Sequence, residues 1–259
     1  ISKMDLLSLN KREVDEPESA EILEENEFPY MTGRLKEIDF TAIIKAGKPW
    51  KDPTFPHGRY ALFVDHKKPM RALESKKLWT DKVHWRRASE YFEGKTFDVF
   101  DGVDPSDIIM GACNNCYALA ALGGLAEADE AEEDGSCERI MDNFLTQEAN
   151  AAGCYAVEFV VDGQPRVIVI DDYFPCTYNK QGREVFAFCK GKGDENEIWV
   201  QVLEKAWAKL CGSYESSEMG RTSEFFQNFD GVPTEVHWTD DYETDEAAKE
   251  RLFSLMTLA

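Results

Sequence analysis

From Cys116 to Ala126 the chain carries no charged side chain, although charged residues make up 31% of the sequence. The run is Cys116-Tyr117-Ala118-Leu119-Ala120-Ala121-Leu122-Gly123-Gly124-Leu125-Ala126, and it follows the polar pair Asn114-Asn115. Either asparagine is placed to cap a helix, its side-chain oxygen accepting a hydrogen bond from an orphan backbone N–H. The residues that follow are apolar on every side, which predicts a helix buried all round rather than an amphipathic one. The run is too short to cross a bilayer, which needs about 20 residues. A thiol therefore stands at the N-terminus of a buried helix, where the helix dipole favours the thiolate. A nucleophilic cysteine needs that setting. The plainer alternative is one more buried, small apolar residue, as most cysteines without a disulfide are. Taken alone, the local pattern favours that alternative.

Composition narrows the field. A chain of 259 residues allows one large domain or two smaller ones, and 16 Phe, 9 Tyr and 6 Trp supply a substantial core. Fifty acidic residues against 29 basic give a net charge of −21. That balance argues against a nucleic-acid or anionic-membrane surface, since both call for basic patches. No secretory leader and no transmembrane run are evident. Seven cysteines, an odd number without a regular framework, point to thiols in a reducing, cytoplasmic compartment. The sequence starts at Ile1 and stops at Ala259 inside a helical pattern, so a longer protein is expected.

Along the chain, residues 1–40 read as an extended lead-in: eight of the 15 residues from Glu13 to Glu27 are acidic and none is basic. Such a run repels itself and stays solvated. The prolines of Trp50-Lys51-Asp52-Pro53-Thr54-Phe55-Pro56 force extended or turn geometry, predicting an irregular strap across the surface. A second extended anchor is expected at His84-Trp85-Arg86-Arg87. The loop Phe100-Asp101-Gly102-Val103-Asp104-Pro105-Ser106-Asp107 has turn chemistry, and its crowded oxygens also suit calcium, though not in the twelve-residue EF-hand pattern. After the central helix, Ser136 is placed to cap a helix running to about Gln147. The period then changes: Tyr155 to Val161 and Arg166 to Ile170 are β-branched and aromatic around Asp162-Gly163-Gln164-Pro165, a hairpin pattern. A short third strand is expected at Phe186-Ala187-Phe188. A strong helix follows from Glu197 to Leu210, with Ile198, Val202, Leu203, Ala206 and Leu210 on its apolar face and Gly212 as its stop. A last helix begins at Thr244 or Asp245.

In this order the segments resemble the calpain family of cysteine proteases, over residues 42–232. The resemblance rests on Asp52-Pro53-Thr54-Phe55-Pro56, on His84-Trp85-Arg86-Arg87, on Asn115-Cys116-Tyr117-Ala118-Leu119-Ala120-Ala121-Leu122 and on Val169-Ile170-Asp171-Asp172-Tyr173-Phe174-Pro175. It rests most specifically on Glu197-Ile198-Trp199-Val200-Gln201-Val202-Leu203-Glu204-Lys205-Ala206-Trp207-Ala208-Lys209-Leu210-Cys211-Gly212-Ser213-Tyr214-Glu215. It implies an α+β fold: a papain-like half-core with a buried nucleophile helix, a short antiparallel hairpin or sheet and a second long helix. Residues 41–235 would form the cysteine-bearing subdomain. Residues 236–259 would begin the connection to a second subdomain carrying a histidine and an asparagine. The implied chemistry is attack of a thiolate, that of Cys116, on a peptide carbonyl. The family also binds calcium in this half; Gly102 and Asp107 fall on matching loop positions and Glu197 on the helix-start position, with Phe100 offering its backbone carbonyl. Protein substrates or protein partners in an assembly are implied, in the cytoplasm and in association with the cytoskeleton.

Three departures from the family pattern matter. Where the family has an oxyanion-stabilising glutamine six residues before the cysteine, this chain has Met110, which offers no donor. Gly-Asp before the cysteine is replaced by Asn114-Asn115, and Trp after it by Tyr117. None of His57, His66, His84 and His237 lies in the family's Gly-His context. Two main functions follow: a calcium-assisted cysteine endopeptidase whose half-core alone is inactive, or a catalytically weakened module acting as a scaffold. A thiol-redox or metal site at Cys113-Asn114-Asn115-Cys116 is a third, which the absence of a preceding strand and of a second cysteine pair disfavours. A reversible Cys113–Cys116 disulfide is its milder form.

Overall fold

The computed structural model describes residues 37–65, 82–131, 139–191, 196–238 and 245–258. In chain order its elements are α1 (Phe40–Ala46), α2 (Arg59–Leu62), β1 (His84–Arg87), α3 (Ala88–Tyr91), α4 (Cys116–Ala131), α5 (Arg139–Asp142), β2 (Cys154–Val161), β3 (Gln164–Asp171), β4 (Tyr173–Tyr178), β5 (Glu184–Phe186), α6 (Trp199–Cys211), α7 (Thr222–Phe229) and α8 (Glu246–Leu258). The mixture of helices with two small antiparallel sheets is the expected α+β class. The acidic lead-in up to residue 36, His66, the Ser136 cap and Thr244 lie outside the described residues.

The hairpin forms where the hydrophobic period changes. β2 and β3 pair from Cys154↔Asp171 to Val161↔Gln164. Asp162 and Gly163 both take positive φ, 52° and 72°, the primed two-residue turn that matches strand twist. The turn is thus tighter than the four-residue one expected. One hairpin face puts Tyr155, Val157, Phe159, Ile168 and Ile170 into the main core. The other packs Cys154, Ala156 and Val169 against Phe40, Ile43, Ile44 and Trp50. Burial on both faces explains why neither strand alternates cleanly in polarity.

The second sheet has the order β1-β4-β5, with His84 opposite Cys176 and Cys176 opposite Phe186. Its central strand, β4, was hidden in the sequence because Pro175 and the acidic pair Asp171-Asp172 read as a strand end. Pro175 is accommodated opposite Trp85. The predicted third strand at residues 186–188 lies two residues earlier. The helix expected up to Gln147 is short, with Arg139–Asp142 its described part, and α7 carries the Phe225 and Phe229 anchors of the core.

Helix α6 ends as expected, with Gly212 at φ 101° accepting the left-handed cap. Its burial is the surprise: every residue from Trp199 to Leu210 is buried, Lys205 completely. Two lysines one turn apart explain it. Lys205 Nζ donates to the Asp171 carboxylate, to the Asp171 carbonyl at 3.1 Å and to the Tyr173 carbonyl at 2.7 Å. Lys209 Nζ donates to Asp52 Oδ2 at 2.7 Å and to the Val169 carbonyl at 2.5 Å. The carbonyls of residues 169, 171 and 173 face the same way because an extended chain repeats every second residue. The lysines thereby satisfy the edge of β3 that β2 leaves open. Burial pulls the pKa of Lys209 down, and the Asp52 carboxylate opposes that pull.

Asp52 also organises the strap. Its Oδ1 accepts from the Thr54 N–H at 2.8 Å, the Thr54 hydroxyl at 2.7 Å and the Phe55 N–H at 3.2 Å. Its own N–H donates to Asp171 Oδ2 at 2.7 Å. The strap is therefore bolted into the interior at Asp52 and Phe55 rather than laid across the surface. Nearby, Arg87 Nε donates to Asp172 Oδ1 at 2.7 Å, and its NH2 to the carbonyls of Trp50 and Ala152. Burial nevertheless pushes the Asp172 pKa up to about 6, against the pull of Arg87.

Removing one partner of a buried ion pair strands the other charge, at about 3–5 kcal/mol. Lys209→Met is accordingly expected to lose about that much stability in urea denaturation. A loss below about 1 kcal/mol would show that the pair does not hold the strap.

Candidate active site

The segment before α4 is fixed by its backbone. Ile109 and Lys190 exchange both N–H···O bonds at 3.0 Å, and the Ala112 N–H donates to the Ala187 carbonyl at 2.9 Å. Gly111 presses so closely on Phe188 that a Cβ there would stand 1.8 Å from the Phe188 oxygen. Only glycine fits. The chain then turns into α4 at Asn115, whose carbonyl accepts from the Ala118 and Leu119 amides at 3.0 and 3.2 Å. Cys116 is the first helical residue and is exposed.

The expected side-chain cap is not made by Asn115. Its Nδ2 instead donates to Glu204 Oε1 on α6 at 2.7 Å, while its buried Oδ1 has no hydrogen-bond partner among the described residues. Glu204 also accepts from the Cys189 N–H, at 3.2 and 3.1 Å from its two oxygens. One interior carboxylate thus ties the start of the cysteine-bearing helix to the strand-like segment beside it. Burial raises the Glu204 pKa.

The helix is not buried all round as its composition predicted. Ala118, Leu119, Ala121, Leu122, Leu125 and Ala126 are buried, but Cys116, Ala120, Gly124 and Glu127 are exposed along one line. Small side chains on the outward line erase the hydropathy contrast that normally marks an amphipathic helix.

A second segment wraps the same end. The Asn114 N–H donates to Glu218 Oε1 at 3.1 Å, and the Met219 N–H donates to the Asn114 carbonyl at 3.0 Å. The Tyr117 hydroxyl donates to the Ser217 carbonyl at 3.0 Å and accepts from Trp207 Nε1 at 2.9 Å. Burial pushes the Tyr117 pKa up, so its hydroxyl stays neutral. Tyr117, standing where the resembled family has Trp, therefore acts as a polar link between α4, α6 and this loop.

Cys113 does not share the setting of Cys116. It is buried among Phe55, Phe188 and Tyr214, its Sγ 3.7 Å from the Tyr214 carbonyl and 3.9 Å from Ser217 Oγ. No disulfide joins any of the six described cysteines. The three described histidines are engaged elsewhere: His57 stacks on Tyr173 with ring centroids 4.2 Å apart, His84 pairs with Glu184 and His237 with Glu235. Met110 is 53% exposed.

The residues singled out for calcium converge in part. Asp107 ends the short 3-10 turn Pro105–Asp107, and its Oδ2 accepts from the Asp104 N–H at 2.9 Å. Glu197 Oε2 accepts from the Asp101 N–H at 3.2 Å, beside Gly102 with its φ of 104°. A Cβ on Gly191 would lie 3.7 Å from Glu197 Oε1 and 4.0 Å from the Asp107 carbonyl. Asp107 and Glu197 are only 5% and 4% exposed. The Glu197 carboxylate and the Asp107 carbonyl thus approach one point, and oxygen donors of this kind fit a hard cation. Among the described residues, no three His, Cys, Asp or Glu side chains cluster to hold a metal, so carbonyls would have to complete the set.

The family model of the calpain cysteine proteases matches residues 50–259. The chain belongs to the calpain family. It is 33% identical over 183 residues to the calpain-type cysteine protease ADL1 of Oryza sativa subsp. japonica, covering 69% of this chain and 8% of that protein. Against DEK1 of Zea mays, also described as a calpain-type cysteine protease, the figures are again 33%, 69% and 8%. Against the calpain-1 catalytic subunit of Gallus gallus they are 32% over 194 residues, 75% and 25%. The chain therefore spans a small part of these calpains' length. No helix among the described residues is long and apolar enough to cross a membrane.

The residue that sequence reasoning missed is Glu204. It lay on the recognised helix as an ordinary polar position, and its place one residue before a buried lysine gave no sign of what it touches. A raised carboxylate pKa means that the folded state holds the proton to higher pH than the unfolded state. Stability from this group therefore falls as pH rises above its ordinary value of 4.5. Glu204→Gln keeps the shape and one acceptor oxygen for the Asn115 amide, and is expected to remove that component from a stability–pH profile. Glu204→Ala, which strands the Asn115 amide and the Cys189 N–H, is expected to cost about 1–3 kcal/mol at every pH. Identical pH slopes for wild type and Glu204→Gln would refute the assignment.

Proposed function

We propose that this calpain-family chain is the nucleophile-bearing half of an intracellular, calcium-assisted cysteine endopeptidase. The observation that carries the reading is Cys116: an exposed thiol on the first residue of a helix whose other faces are packed, in the family's motif position. In this reading the Cys116 sulfur attacks a peptide carbonyl carbon, the C–N bond breaks and the amine leaves with a proton. Water then adds to the thioester and releases the acid, regenerating the thiol. The base that moves these protons would come from a second subdomain. Protein substrates follow from the chemistry, and a cytoplasmic setting is supported by the reduced cysteines.

Calcium, in the same reading, would be held by Asp107, Glu197 and the carbonyls of Phe100 and Gly102. It would join the 100–107 loop to the start of α6, helping the two halves of the core to align. The oxygen-only donors, with Asp107 and Glu197 buried, support this.

Met110 favours a second reading, a weakened module serving as a scaffold. An oxyanion donor contributes about 10²–10³ in rate, and a thioether offers none. The test is intact-mass labelling of the full-length protein with an epoxysuccinyl active-site probe, with and without calcium. A single calcium-dependent adduct on Cys116 is expected. Met110→Gln is expected to raise peptide turnover by about 10². No adduct on folded protein whose Cys116 still reacts with iodoacetamide would establish the scaffold reading.

A further inference from the structure

Asparagine is among the best helix N-cap residues, because its side-chain oxygen can accept from a first-turn N–H. Asn115 stands at that position of α4: its carbonyl accepts the Ala118 and Leu119 amides, and Cys116 is the first helical residue. Yet the side-chain cap is missing. Asn115 is only 1% exposed, and its buried Oδ1 has no hydrogen-bond partner among the described residues. The fold thus forgoes a cap and also buries an amide oxygen without a partner, and both are costs. Both fall on the residue next to the Cys116 thiol.

Glu204 supplies the reason. Its Oε1 accepts from Asn115 Nδ2 at 2.7 Å, and its two oxygens share the Cys189 N–H at 3.2 and 3.1 Å. The ionisable groups around this carboxyl leave the contact alone. Burial keeps the Cys189 thiol and the Tyr214 hydroxyl neutral, and Lys205, next along α6, turns its ammonium to Asp171. Glu204 accepts, so its partner must donate. An amide does so directly, whereas the family's aspartate at this position could meet Glu204 only if one of the two carboxyls held a proton. With Asn115 drawn inward, its oxygen covers none of the first-turn N–H groups of α4. Their partial positive charge remains at the helix end that carries the Cys116 thiol, where it favours the thiolate.

We propose that Glu204 is a positioning residue for this thiol: by holding the Asn115 amide in the interior it keeps the start of α4 without a side-chain cap, so that the free N–H groups act on the Cys116 sulfur. Glu204 works through Asn115 and does not touch the reacting atoms. The use of the activated thiol rests on the protease reading above, but the device itself is measured on the thiol.

The test follows iodoacetamide alkylation of Cys116 as a function of pH in the full-length protein, with the modified residue identified by peptide mapping. In Glu204→Ala the released Asn115 oxygen caps the first turn, and the midpoint of the rate–pH profile is expected to rise by about half a unit, leaving about threefold less thiolate near neutral pH. Loss of a nearby carboxylate charge alone would move the midpoint down, so the sign separates the two causes. Glu204→Gln, which keeps an acceptor oxygen for Asn115, should restore the wild-type midpoint. So should the double variant Glu204→Ala/Asn115→Ala, which has no side chain able to cap; a merely structural role predicts no such return. Should Glu204→Ala fail to fold, Asn115→Ser and Asn115→Ala take its place. Both lose the Glu204 contact, but serine caps and alanine does not, so only the serine variant should show the rise. No rise in the capping variants, or a rise that persists in the double variant, would overturn the role of Glu204. Labelling of the wild type by the epoxysuccinyl probe with calcium is scored in parallel: an adduct with unmoved midpoints overturns the role of Glu204 alone, and no adduct overturns the protease reading whatever the midpoints do.

Discussion

Two buried ammonium groups on one helix hold the structure together. Lys205 and Lys209 sit one turn apart on α6 and meet carbonyls two residues apart on β3 and the start of β4. The helical and extended periods coincide over that distance, so a single helix can satisfy an open strand edge that would otherwise remain unpaired. Each lysine then takes a carboxylate, Asp171 or Asp52. Burying such charges is expensive unless their hydrogen bonds are completed, and here carbonyls from the strand and a carboxylate complete them. A small sheet that could not stand alone thereby becomes one wall of a common core.

The same helix also positions the segment around Cys116. Glu204, adjacent to Lys205, turns its carboxylate toward the other side and receives the Asn115 amide. One helix thus registers the hairpin on one side and the start of the cysteine-bearing helix on the other. Any shift of α6 along β3 would shift Asn115, and Cys116 with it. The Ser217–Gly220 loop repeats this logic from outside, reaching Asn114 and Tyr117 on either side of the cysteine. The thiol is exposed, yet the residues flanking it are held by side chains or backbone from three separate parts of the chain.

Much of this was legible in the sequence, and what escaped notice did so for physical reasons. The hairpin, the long helix with its glycine stop, the Asp245-capped last helix and the cysteine at a helix start follow from local periods and caps. The family resemblance, carried by blocks such as the one from Glu197 to Glu215, is matched by the family model over residues 50–259. Strand β4 was hidden because a proline and an acidic pair look like a strand end when the partner strand, some 90 residues away, is unseen. The burial of Lys205 and Lys209 cannot be read from their own helix because the carboxylates that receive them, Asp171 and Asp52, are distant in sequence. The outward line of α4 was invisible because alanine and glycine carry no sign of which way they face. Local patterns predict elements; pairings between distant polar groups, which decide what is buried, leave no local trace.

The contrast between Cys113 and Cys116 extends to the other described thiols. Of the described thiols, Cys113, Cys154, Cys176 and Cys189 are buried, Cys211 is half-buried and Cys116 alone is exposed. Burial also pushes the pKa of Cys154 and of Cys211 up to about 12, suppressing their thiolate forms at neutral pH. A fold with five of its six described thiols buried or half-buried reports its own opening. When α6 lets go of the hairpin, thiols silent toward alkylating reagents become reactive, and the tally of modified cysteines becomes a count of how much of the core has come apart.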